Sequence, residues 1–97
     1  MTIMIKHIVC FKLKEGTDVE KTKEILLSMK GKVPEIKDIE VGVDFLHSER
    51  SYDIILQITL ENEAALTDYQ NDEYHCSVVK KHMHAVRTGS IAVDYEL

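Results

Sequence analysis

Leu66-Thr-Asp-Tyr69-Gln-Asn71-Asp72-Glu-Tyr-His75-Cys-Ser-Val-Val-Lys-Lys-His-Met-His-Ala-Val86 carries a short helix, a polar break and a longer helix. Asn62 is a good N-cap for a short helix over 63–69, because its side-chain oxygen can accept from a free backbone amide. Asn71 and Asp72 then interrupt the run, and either can cap the longer helix that follows. Along that helix Cys76, Val79, Met83 and Val86 make a packing stripe, with His75, Val78 and His82 at its margins. Gly89 is the expected stop. A helix pair at this point, with strands before and after it, fixes the element order of the whole chain.

Working back toward the N-terminus, Tyr52 to Leu60 alternates with Ile54, Leu56, Ile58 and Leu60 on one face, and Ile55 lies on the other. Asp38 to Phe45 alternates more strictly, putting Ile39, Val41, Val43 and Phe45 on one side and polar residues or glycine on the other. This pattern predicts a half-exposed strand near a sheet edge. The short polar link between these strands predicts an antiparallel hairpin. Further back, Val19, Thr22, Leu26, Met29 and Val33 carry helical spacing, Thr17 and Glu20 fit a capping box, and Gly31 and Pro34 close the helix. The first strand, from Ile3 to Lys14, places Ile5, His7, Val9, Phe11 and Leu13 on one face and Ile8 and Cys10 on the other. Beyond the helix pair, Ser90 to Leu97 alternates as a last strand.

The order is strand, helix, strand, strand, helix pair, strand. It predicts an α+β protein of the ferredoxin-like split β-α-β type, with a four-stranded antiparallel sheet and helices on one face. Ile8, Cys10 and Ile55 then fall on the face that the helices leave bare. Such an apolar patch predicts a second copy packed against it, as a two-fold homodimer.

Ninety-seven residues form one domain, and a composition that is 44% hydrophobic and 30% charged is that of a folded globular protein. A net charge of -5, with lysines scattered among acids, argues against a nucleic-acid surface. No apolar run approaches the roughly 20 residues of a membrane span. The start of the chain lacks the features of an export signal, so the expected location is cytoplasmic; either Met1 or Met4 could serve as the first residue. Cys10 and Cys76 form no Cys-x-x-Cys and are expected to be reduced packing residues. His75 and His82 lie about 10 Å apart along a helix, too far to share an ion, and His82 and His84 point to different sides. No metal is expected. Phosphate-binding glycine loops and nucleophile elbows are missing, and no cofactor is implied.

Lys6-His7-Ile8-Val9, Phe11-Lys12, Lys30-Gly31-Lys32-Val33-Pro34, Val41-Gly42, Tyr52-Asp53 and Asp94-Tyr95-Glu96 occur in an order that resembles the stress-responsive A/B barrel (Dabb) family, of the dimeric α+β barrel superfamily. The likeness runs from Ile5 to Glu96. Where the family often carries His-Pro-x-His, this chain has Asp72-Glu73-Tyr74-His75, so only the last His is kept. The family includes plant stress-associated proteins and a plant polyketide cyclase. The resemblance implies a catalytic pair of His75 and Tyr69 and a pocket lined by His7, with Ile54 and Leu26 standing where the cyclase has a polar His and Tyr.

Two functions of different classes follow. One is a homodimeric stress or binding protein with a pocket for a small apolar or aromatic ligand. The other is a cofactor-independent enzyme with His75 as general base and Tyr69 as its hydrogen-bond partner. A cofactor-free monooxygenase is a third option. A water-free pocket holding both side chains favours the enzyme; a core filled by Phe11, Leu56 and Met83 favours the binding protein.

Overall fold

The computed structural model describes residues 3–97. Four strands form one antiparallel sheet: β1 (Ile5–Leu13), β2 (Ile36–Val43), β3 (Ile54–Leu60) and β4 (Arg87–Glu96), in the spatial order β2-β3-β1-β4. The expected hairpin is β2 and β3, and β2 is an edge strand. β1 hydrogen-bonds to β3 on one side and to β4 on the other. Helices α1 (Val19–Leu27) and α2 (Glu63–Asn71) follow β1 and β3 respectively. A π-helical segment (His75–Lys80) then runs directly into α3 (Lys81–Val86).

Register assigns the faces, because residues directly opposite in an antiparallel pair project to the same side. Opposite His7 are Ile58 and Asp94, and opposite Val9 are Leu56 and Ala92. That side is covered by the helices over β1, β2 and β3. Leu26, Met29 and Val33 from the first helical region meet Leu56, Ile58 and Leu60 of β3, Val79 of the π-helical segment and Met83 of α3, all buried. Two hydrogen bonds tie the helices to each other: Thr22 Oγ1 with His82 Nε2 at 3.0 Å, and Ser28 Oγ with the Tyr74 hydroxyl at 2.7 Å. On the other side Ile8 and Cys10 line up with Ile55 of β3 and with Ile91 and Val93 of β4. That face carries no helix. Among the described residues, no helix is long and apolar enough to cross a membrane.

Four local expectations are corrected. Asp18, not Thr17, caps α1: its carboxylate accepts from the Lys21 amide at 3.1 Å, while the Thr17 hydroxyl donates backward to the Lys14 carbonyl. β2 ends at Val43, so Phe45 leaves the ladder and stands 88% exposed in the link to β3. Gly89 does not stop the last helix; Arg87 is already extended, and Gly89 lies inside β4 opposite Lys12. Cys76 is exposed rather than part of the packing stripe. The π winding explains this, since a turn closed from i to i+5 takes more residues than an α turn. Measured back from buried Val79, the residue three earlier swings off the core and the one four earlier, His75, stays on it.

Leu26 is fully buried among these elements. Leu26→Ala should therefore destabilise the fold by about 2–5 kcal/mol, a loss that chemical denaturation would read directly.

Candidate functional site

Between the helices and the sheet lies a cavity of about 180 Å³. Its apolar walls are Val9, Phe11, Leu26, Leu56, Val79 and Met83, and its polar lining includes His7, Tyr69 and His75. These three come from three separate elements. β1 presents His7 because odd-numbered residues of that strand face the helices. Tyr69 lies on the last turn of α2. Asp72 then stops α2 and re-caps the chain, its carboxylate accepting from the His75 amide at 3.0 Å. This break, with the π winding after it, turns the His75 ring back over Tyr69. The ring centroids of Tyr69 and His75 are 4.4 Å apart, and Tyr69 meets His7 edge-on at 5.7 Å.

The three side chains differ in chemistry. His7 is buried and its Nδ1 is hydrogen-bonded to the Asp94 carboxylate of β4. An ionised carboxylate only accepts, so Nδ1 carries the proton and Nε2 is turned away from Asp94. Asp94 belongs to the site although sequence reasoning did not place it there. The signal lay in register: Asp94 stands directly opposite His7. His75 is held below its ordinary imidazole range, first by burial and then by Lys80 and His7, with the Gln70 carbonyl and Asp72 pulling the other way. Its Nδ1 is buried and has no protein hydrogen-bond partner. A neutral imidazole at pH 7 follows, and burial is the main reason.

Tyr69 is 1% exposed, and burial, followed by Asp72, pushes its hydroxyl well above the usual phenol range. The hydroxyl donates to Met29 Sδ at 3.8 Å. The rings of Tyr69 and His75 thus converge as the sequence suggested, while the hydroxyl points to the core sulfur and not to the imidazole. Ile54 is buried on the same sheet face but does not line this cavity; it sits opposite Phe11 and Val43, further along β3. Phe11, Leu56 and Met83 form part of the cavity wall without closing it. Among the described residues no group of three His, Cys, Asp or Glu side chains is placed to hold a metal ion.

The histidine predicts a pH dependence. Because the folded pKa of His75 lies below the ordinary 6.5, the unfolded chain takes up the proton first as pH falls. Its contribution to stability is complete above about pH 6.5 and is lost progressively below it, down to the lowered folded value. The melting temperature of His75→Gln should decline less between pH 7 and pH 5 than that of the parent chain. Parallel declines would show that His75 is not held neutral by the fold.

The model of the stress-responsive A/B barrel domain matches residues 5–97. None of the curated proteins matches the sequence significantly. Among solved structures, a dimeric ferredoxin-like protein of unknown function from Bacteroides fragilis is 29% identical over 97% of this chain and 96% of its own, with a TM-score of 0.81. A second dimeric ferredoxin-like protein of unknown function, from Thermobifida fusca, is 22% identical over 100% of this chain and 93% of its own, with a TM-score of 0.85. Hydroxynitrile lyase from Passiflora edulis superposes with a TM-score of 0.86 at 12% identity, over 100% of this chain and 95% of its own, a likeness of fold alone. With its β-α-β-β-α-β order and a match over nearly its whole length, the chain belongs to the stress-responsive A/B barrel domain family.

Proposed function

We propose that this protein is a homodimer that binds a small, largely apolar molecule between its helices and its sheet. The observation that carries the reading is the convergence of His7, Tyr69 and His75 on one cavity whose other walls are mainly apolar. A buried polar atom without a partner costs about 1–3 kcal/mol, and His75 Nδ1 is such an atom. A ligand able to hydrogen-bond there would recover part of that cost. The volume of about 180 Å³ is below the ~300 Å³ at which drug-sized ligands begin, so the occupant is a compact one.

A second function is favoured by the two imidazoles. Neutral His75 can accept a proton from a weak carbon acid or phenol and, as the imidazolium so formed, return it to the product, while His7, oriented by Asp94, offers Nε2 as an acceptor for a substrate hydroxyl. This is cofactor-independent acid–base catalysis with His75 as general base. In it Tyr69 supports the His75 ring by stacking, since its hydroxyl is engaged with Met29.

Binding is tested by NMR titration with fragment-sized aromatic ketones, following the amides of Val79 and Met83. These should move, and Val9→Phe, which fills the cavity from a half-buried wall position, should abolish the shifts. Catalysis is tested by hydrogen–deuterium exchange at the ketone α-carbon. His75→Gln should slow it by about 10²–10⁴. Binding without exchange leaves the first function and removes the second.

The dimer rests on the bare sheet face, where Ile91, Val93 and Tyr95 are exposed beside half-buried Ile8, Cys10 and Ile55. Burial pushes the Cys10 thiol up, which suits packing better than thiolate chemistry. Two solved structures of like fold are dimeric. Sedimentation at micromolar concentration should give the mass of two chains, and Ile55→Lys should weaken association by roughly tenfold or more, since a lysine charge would be buried without a partner. A monomer in the parent chain would refute the assignment.

A further inference from the structure

The mouth of the cavity carries a charge that its walls do not. At its solvent side the lining includes Lys80, His84, Arg87 and Ser90, and no carboxylate lines it. Of the two acids on this face of β4, Asp94 is engaged with His7 and Glu96 lies beyond it, opposite Ile5. The groove at the opposite end of β4, of about 370 Å³, has the reverse character: Glu63, Asp94 and Glu96 line it and no base does. In a chain of net charge -5, three basic side chains gathered at one opening are not the average surface.

The backbone shows how Arg87 comes to be there. Gly89 lies opposite Lys12, on the bare face of the sheet. Regular alternation would return Arg87, two residues earlier, to that same bare face. The register shifts between Lys12 and Leu13, so that Leu13 is opposite Arg87 and Thr88 is the extra residue. Leu13 shares the helix-side face with Phe11. The bulge therefore turns Arg87 to the helix side, which is the usual effect of such an insertion on a side chain's direction. There its Nη1 donates to Ser90 Oγ at 3.3 Å, which steadies the guanidinium at the mouth.

We infer that the ligand is a small organic anion, with an apolar body in the cavity and a carboxylate at the mouth held by Arg87 and assisted by Lys80. This rests on the proposed pocket and adds the chemical class of its occupant. A planar guanidinium matches a carboxylate with two parallel hydrogen bonds, and such charge-assisted bonds are stronger than neutral ones.

The test compares benzoate with benzamide, which share a ring and differ in charge. Both are titrated into the full-length protein, with the Val79, Met83 and Arg87 amides followed by NMR. Benzoate should bind about tenfold more tightly than benzamide, and added salt should weaken benzoate alone. Arg87→Gln should remove the preference, benzoate losing about tenfold in affinity and benzamide, which forfeits only a neutral hydrogen bond, losing less. If that variant does not fold, Lys80→Gln, at an exposed position, should reduce the preference in the same direction. Equal binding of the two compounds, or a preference that survives both substitutions, overturns the inference and leaves the pocket standing. If neither compound moves these amides at millimolar concentration, the pocket itself is refuted and the inference with it.

Discussion

Central pairing of β1 is the constraint on which the remaining structure depends. Because β1 hydrogen-bonds to both β3 and β4, it has no free edge, and every side chain on it is committed to one of two faces. One face supplies Ile5, His7, Val9 and Phe11 to the helix side; the other supplies Ile8 and Cys10 to the bare side. A one-residue slip of β1 would exchange the two sets. It would expose the cavity floor and bury Lys6 and Lys12 under the helices, so core, site and open face are all fixed by a single register.

The second determinant is the way the chain passes from α2 to α3. Asp72 ends one helix and caps the next, and the π winding that follows keeps His75 on the core side at the expense of Cys76. An uninterrupted α-helix would have placed a cysteine there and an imidazole nearer to solvent. π-helical turns frequently occur at functional sites. Here the turn has an evident consequence, since it stacks His75 on Tyr69 and buries a ring nitrogen without a protein partner.

Charge is distributed along β4 in the same purposeful way. Asp94 near the C-terminal end faces His7, and Arg87 at the N-terminal end is rotated onto the same side by a bulge. The strand thus contributes an acid that orients one imidazole and a base at the cavity mouth. Both act on a cavity whose interior is otherwise aliphatic and aromatic, where electrostatic interactions are stronger than in water.

Element order, the hairpin, the two faces of β1 and β3 and the core stripe Leu26, Met29, Val33 were legible in the sequence, because these depend on periods of two and 3.6 that single residues reveal. The sequence also showed His7 as a polar ring on an apolar strand face, while Tyr69 and His75 were indicated by the family resemblance. Tertiary structure alone decided the rest. That Asp94 meets His7 depends on how β4 pairs with β1, and that Arg87 reaches the cavity depends on one extra residue at Thr88; neither is a local property. The π turn that exchanges Cys76 for His75 has no composition signal. The direction of the Tyr69 hydroxyl was set by the sulfur of Met29, forty positions away in the chain, which only packing brings within reach.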